Sequence, residues 1–176
     1  PCCIVLSCLV LASGTAGADA KGEAKAYFKT GLDLMKSEEF PAAAAALEKS
    51  VDLYPNKNNL FNLAGCYRAL DRHAEALALL ERARKEFGNK LGKEMADDIE
   101  RQINEINAVV GRLKLTLVPE GAVVAVDGKK TEVTPFSEPI VLMQGEHTIE
   151  VSADKHETGT LKVDIRPRAY KMVTVE

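Results

Sequence analysis

The stretch Val118-Pro119-Glu120-Gly121-Ala122-Val123-Val124-Ala125-Val126-Asp127-Gly128 sets two turn signals around one short apolar run. Pro-Glu-Gly interrupts the chain, and Asp-Gly beside an apolar run is a strong hairpin signal. The run between them, residues 122–126, is too short for a helix and rich in β-branched residues, so it predicts a strand. Working outward, the same period of two continues on both sides. Before it, Leu113, Leu115 and Leu117 alternate with Arg112, Lys114 and Thr116. After it come an apolar run over 139–143, a Gln144-Gly145 turn, the alternation His147, Ile149, Val151, and a turn at Asp154-Lys155. Leu161, Val163 and Ile165 alternate next, and a run over 170–175 follows. Six or seven short strands with turns at these intervals predict a small sandwich or barrel over 112–176.

Upstream the pattern is helical and it repeats. Shifted by 33 positions, Tyr27 meets Leu60, Gly31 meets Ala64, Leu34 meets Tyr67, Ala43 meets Ala76, Leu47 meets Leu80 and Ser50 meets Ala83. Small residues fall where two helices approach closely and large apolar ones fall where the gap is filled. Each unit holds two helical stretches, 24–37 and 41–53 in the first, 58–70 and 73–87 in the second. Glu38-Glu39-Phe40 splits the first pair, with Pro41 suited to a first helical turn, and Asp71-Arg72 splits the second. A helix–turn–helix unit at this period resembles the tetratricopeptide repeat (TPR) family. Gly31, Leu34, Ala43, Leu47 and Pro55 match in the first unit, and Leu63, Ala64, Tyr67, Ala76, Leu80 and Ala83 in the second. Two repeats are fewer than the ~3 a solenoid needs. A stripe of Leu91, Met95, Ile99, Ile103, Ile106 and Val110 supplies a helix over 91–111 that would cap the second hairpin. Lys93/Asp97 and Asp97/Arg101 are opposite-charge pairs on its polar side. A subunit seam is the other use for such a stripe.

The literal Pro119-Glu120-Gly121-Ala122, with Val126-Asp127-Gly128 and Gly145-Glu146-His147, resembles the PEGA domain over 112–176. Arg166-Pro167-Arg168 departs from the glycine-containing turn common in that family. The fold expected is therefore α+β in two domains: TPR-like hairpins over 21–90, a linking helix over 91–111, and an all-β unit over 112–176. The resemblance implies non-enzymatic modules: PEGA domains of exported and cell-surface bacterial and archaeal proteins, and TPR scaffolds for peptide or protein partners.

The first residues read differently again. Residues 4–12 form an uncharged apolar run, followed by small residues ending Ala18-Asp19-Ala20 before Lys21. That is the shape of a secretory signal over 1–20 with an A-x-A cleavage site, lacking a basic start. The run is short of the ~20 residues that span a bilayer. An exported protein, periplasmic or at the cell surface, is expected. The alternative is a lipoprotein anchored at Cys8, since Val5-Leu6-Ser7-Cys8 loosely resembles a lipobox.

Composition excludes several functions. The chain has 176 residues, a net charge of −3 and 46% apolar content. The charge is even along the chain, so no basic platform recruits nucleic acid. Cys2, Cys3 and Cys8 fall in the presumed signal and leave Cys66 alone, so neither an intramolecular disulfide nor a cysteine zinc site can form. In its helical pattern Cys66 reads as a small buried hydrophobe. His73, His147 and His156 have no partner at metal-ligand spacing, and no nucleophile elbow, phosphate loop or dinucleotide fingerprint occurs. His147 shares the parity of Ile149 and Val151, which suits a histidine at the rim of a core. No metal, cofactor or catalytic residue is expected.

The remaining function is binding. The first helix of each TPR unit lines the concave face, and the resemblance places Lys25, Phe28 and Leu32 there with Asn58, Phe61, Asn62 and Arg68. Of these only Asn62 matches the carboxylate clamp of chaperone-binding TPRs. Phe28, Leu32 and Phe61 are equally readable as core. The reading is a non-enzymatic adaptor or scaffold with a protein or peptide partner. The alternative is a structural envelope or surface-layer component that binds glycan or cell wall through the β-domain.

Overall fold

A computed structural model describes residues 16–118, 121–133, 138–154 and 156–175. The apolar run and Cys8 of the presumed signal lie outside the described residues, as do Pro119 and Glu120. Five helices come first: α1 (Ala16–Lys36), α2 (Phe40–Leu53), α3 (Lys57–Ala69), α4 (His73–Phe87) and α5 (Lys93–Asn107), with a 3-10 turn at Gly88–Lys90 before α5. Seven strands follow among the described residues: β1 (Val110–Leu117), β2 (Val123–Val126), β3 (Lys129–Val133), β4 (Ile140–Met143), β5 (Gly145–Ser152), β6 (Gly159–Ile165) and β7 (Tyr170–Val175).

The helices form two hairpins, α1 with α2 and α3 with α4, and α5 packs on α4. Small residues at the repeated positions permit this. A Cβ at Gly31 would lie 2.6 Å from Leu47 Cγ, so α1 approaches α2 closely only because the side chain is absent. Ala43, Leu47, Ala64, Ala76, Leu80 and Ala83 are fully buried in one core. A buried polar chain pins three helices at once. Ser50 Oγ donates to the Ala24 carbonyl at 2.9 Å, and Asn59 Nδ2 donates to Ser50 Oγ at 3.1 Å and to the Tyr54 carbonyl at 3.0 Å. Asn59 also completes a capping box, accepting from the Asn56 amide while Asn56 accepts from the Asn58 and Asn59 amides. Buried amides and hydroxyls are costly unless bonded, so this chain fixes where α1 meets α3.

The α5 stripe is buried as an intramolecular face: Leu91, Ile99, Ile103 and Ile106 join the helical core, with Met95 half-buried. The helix is shorter than the 91–111 expected. It stops at Asn107, and Val110 opens β1 while still packing into the helical core. Lys93 pairs with Asp97 at 2.6 Å, but Arg101 turns to Asp98 and Glu105 rather than to Asp97. Gly111 is not a linker. A Cβ there would meet the Arg166 carbonyl at 2.5 Å, so β1 needs glycine where the last connection crosses it.

The strands make a sandwich of two sheets, ordered β4-β1-β7 and β3-β2-β5-β6. Leu113, Leu115 and Leu117 of β1 face Val124, Val126, Ile149, Val163 and Ile165 of the second sheet, so the alternation in sequence becomes the alternation of burial. Asp127 and Gly128 both take positive φ, 50° and 76°, and close the β2–β3 hairpin as a two-residue turn. The first and last strands lie side by side in parallel, Leu115 opposite Val173. Arg166–Arg168 is therefore no hairpin within one sheet but the passage from the second sheet to the first. Arg168 takes φ 59° where glycine would be usual, and its amide bonds the Val110 carbonyl at 2.8 Å.

Candidate partner-docking site

Three of the seven groove candidates share a cavity. Lys25, Phe28 and Asn58 line a cavity of about 370 Å³ between the start of α1 and the turn that leads into α3. The other four do not line it. Phe61 is half-buried against the helical core, as Phe28 also is on its inner side. Leu32 is half-buried further along α1. Asn62 donates to the Asn58 carbonyl at 2.8 Å, a bond within its own helix. Arg68 forms an ion pair at 2.8 Å with Glu105 of α5, and Arg101 shares that carboxylate at 2.8 Å. The Arg68 charge is spent on joining α3 to α5.

Five further lining residues were not among the groove candidates: Lys21, Ala24, Tyr54, Asn56 and Lys57. Lys21 Nζ stands 5.4 Å from the centre of the Tyr54 ring, a cation–π contact across the mouth. Lys57 Nζ donates to the Lys90 and Leu91 carbonyls at 2.5 and 3.3 Å, which anchors α3 to the turn before α5. The alignment compares helix faces, and Tyr54 lies on a connection while Lys21 precedes the repeat. The clue in the sequence was local charge: lysines at 21, 25 and 57 with no carboxylate among the lining residues. Such a cavity attracts an anionic group to its rim and offers Phe28 and Tyr54 to an apolar one.

A second cavity, about 400 Å³, lies at the seam of the two halves, between the α3–α4 turn and strands β2, β4 and β5. It holds two of the histidines. His147 Nδ1 lies 2.7 Å from Asp127 Oδ2, and His147 Nε2 lies 2.8 Å from the Met143 carbonyl. Both partners accept, so the arrangement satisfies both ring nitrogens when the ring is protonated and favours the imidazolium. Burial pulls the His147 pKa down, but the bonds to Asp127 and Met143 outweigh it and leave it above the ordinary value. The His147 bond, then the Thr148 amide, hold Asp127 below the ordinary carboxylate range. His73 Nδ1 is buried without a partner among the described residues. Among those residues no group of three or more His, Cys, Asp and Glu is placed to hold a metal ion.

Cys66 is fully buried, and burial pushes its thiol up to about 11, so no thiolate is available at neutral pH. Tyr67 is raised to about 12 by burial and by its 2.7 Å bond to Glu48, and Arg72 stacks 4.0 Å from its ring centre. These groups hold α2, α3 and the α3–α4 turn together. No helix among the described residues is long and apolar enough to cross a membrane.

Comparison with known proteins agrees with this geometry. Residues 28–90 match the tetratricopeptide repeat family, and residues 110–176 match the PEGA domain family. No curated protein matches the chain. Neither family is enzymatic, and the first is a protein-interaction repeat. The chain carries a TPR region over residues 28–90, within its helical half, and a PEGA domain over residues 110–176, which hold its strands.

Proposed function

We propose that this protein is a non-enzymatic, exported adaptor whose TPR region takes an acidic, partly apolar segment of a partner protein. The observation that carries this reading is the cavity at the head of α1, where Lys21, Lys25 and Lys57 surround Phe28 and Tyr54 with no carboxylate in the lining. A chain with net charge −3 that concentrates lysines around exposed aromatic surface favours an anionic partner at that spot. Export rests on the apolar run and small residues before Lys21. Among the described residues the first buried side chain is Ala24, so cleavage after Ala20 would leave the packed part of α1 intact. Intact-mass analysis after expression with a native start is expected to find Lys21 at the mature terminus; lipid on Cys8 would replace that with anchoring.

Peptide-display selection against the whole chain tests the binding reading. Acidic segments carrying an aromatic or aliphatic residue should be enriched. Lys21→Glu with Lys25→Glu should weaken their capture by about tenfold or more without changing the unfolding midpoint, because both side chains are exposed. Capture that survives the double change overturns the assignment of the site. Retention of cell-wall material by the strands in place of peptide capture would favour the structural envelope role.

A further inference from the structure

The sandwich has four terminal strands among the described residues, and three of them are blunted against edge-to-edge pairing. β4 is four residues long and packs against α4. β3 opens on Lys129 and Lys130. β6 carries Lys162 and Asp164, and Lys162 is paired with Glu146 at 2.8 Å. β7 differs. Its sequence is Tyr-Lys-Met-Val-Thr-Val, and its one charge, Lys171, is tied back to the Asp164 carbonyl at 3.1 Å. Met172 is 75% exposed and Tyr170 54% exposed. The Ala169 and Val175 carbonyls accept from β1, from Arg112 and Val118. Backbone direction alternates along a strand, so Tyr170, Met172 and Thr174 turn their amides and carbonyls to the open edge.

We infer that β7 is a pairing edge for a second copy of this chain, which joins antiparallel about a two-fold axis at Met172. Only strand positions that turn outward can bond across the edge, and this register pairs outward positions with each other. Met172 then faces its copy, Tyr170 faces Thr174, and Lys171 faces Val173. A register centred on Lys171 would set two ammonium groups opposite one another, which is unfavourable. The chosen register opposes no like charges and covers the two most exposed apolar side chains of the strand. The two three-stranded sheets become one of six strands. A pairing of six-residue strands covers far less than the roughly 1,200–2,000 Å² of a standard stable interface, so the dimer is weak and concentration-dependent. Its value lies in doubling the docking cavities, so that a partner with two acidic segments gains from simultaneous engagement.

Sedimentation velocity on the full chain, from about 10 µM to about 1 mM, tests this over the range expected for a small interface. The wild type should pass reversibly from monomer toward dimer. Met172→Lys places two charges on the axis, and Thr174→Pro removes an outward amide that β1 does not use. Each should weaken dimerisation at least tenfold while circular dichroism and the melting midpoint stay near wild type. Should one variant fold poorly, the other carries the test. A wild type that stays monomeric throughout, or a dimer that survives both substitutions, overturns the inference.

Discussion

The helical half and the strand half rest on unequal cores. Among the described residues the helical cluster has 18 buried residues, rich in Ala and Leu, and it extends into the strands through Val110, with Val141 packed against it. The strand cluster has nine among the described residues, drawn from both sheets. The three-stranded sheet is therefore covered twice: on its inner face by the second sheet, and at one end of its outer face by α4 and α5. The rest of that outer face, around Lys114, Met172 and Tyr170, is exposed. The difference teaches that the boundary is shared: Val110 of β1 and Val141 of β4 pack into the helical core, so contacts across it stabilise both halves.

The largest test attacks the larger core. Ile103→Asp puts an unpaired carboxylate where the side chain is nearly fully buried, and it should destabilise the helical half by about 3–5 kcal/mol in urea unfolding. An unchanged midpoint would mean that the α5 stripe is not a packed face. The next test separates the halves. Residues 110–176 should fold alone as an all-β unit, but without the cover on Val110 and Val141 they should lose about 2–3 kcal/mol. Equal stability in isolation would mean that the helices add nothing to the strands, and a disordered spectrum would mean that the strands cannot fold without them.

A smaller effect contrasts the two repeats. Gly31→Ala forces a Cβ to within 2.6 Å of Leu47 Cγ and should cost about 1–3 kcal/mol. At Gly65 an added Cβ finds only Met35 Cε at 3.8 Å, so Gly65→Ala should stabilise α3 by up to about 1 kcal/mol. Thermal melts of the two variants should shift in opposite directions. Shifts of the same sign would contradict the close approach at Gly31 or the open space at Gly65.

The smallest effect is confined to the strands and depends on pH. The His147 pKa is raised, so its contribution is complete below the unfolded value of 6.5 and is lost as pH rises through the higher folded value. The Asp127 pKa is lowered, so its contribution is complete above 3.8 and is lost as pH falls through the lower folded value. The pair thus contributes fully between those two limits. Asp127 is about half exposed, so solvent screens much of the effect. The melting midpoint of the strand half should fall slightly from pH 6 to pH 8.5, and His147→Gln should flatten that slope. A wild-type midpoint that rises over this interval would contradict the imidazolium.

Much of this architecture was legible because period and small residues carry it. The pairs Gly31/Ala64 and Ala43/Ala76 marked the helix contacts, and the alternation around Leu115 marked the sandwich. Less legible was whatever depends on residues distant in sequence. The parallel pairing of β1 with β7 has no local signature, and β3 hides behind Lys129-Lys130. Arg168 takes a left-handed turn that its residue type does not advertise. At the cavity proposed for docking, Lys25, Phe28 and Asn58 could be chosen from helix faces. Tyr54 reaches the cavity from a connection, and Arg68 is neutralised by a carboxylate 37 residues away. Neither fact is written in a repeat.

Amide hydrogen exchange on the full chain, with and without an acidic peptide taken from the display selection, tests the central claim most directly. The account predicts new protection over residues 21–28 and 54–58, where the cavity is built, and none over 110–175 beyond that of the free protein. Protection confined to the strands, with α1 and the start of α3 unchanged, would contradict it.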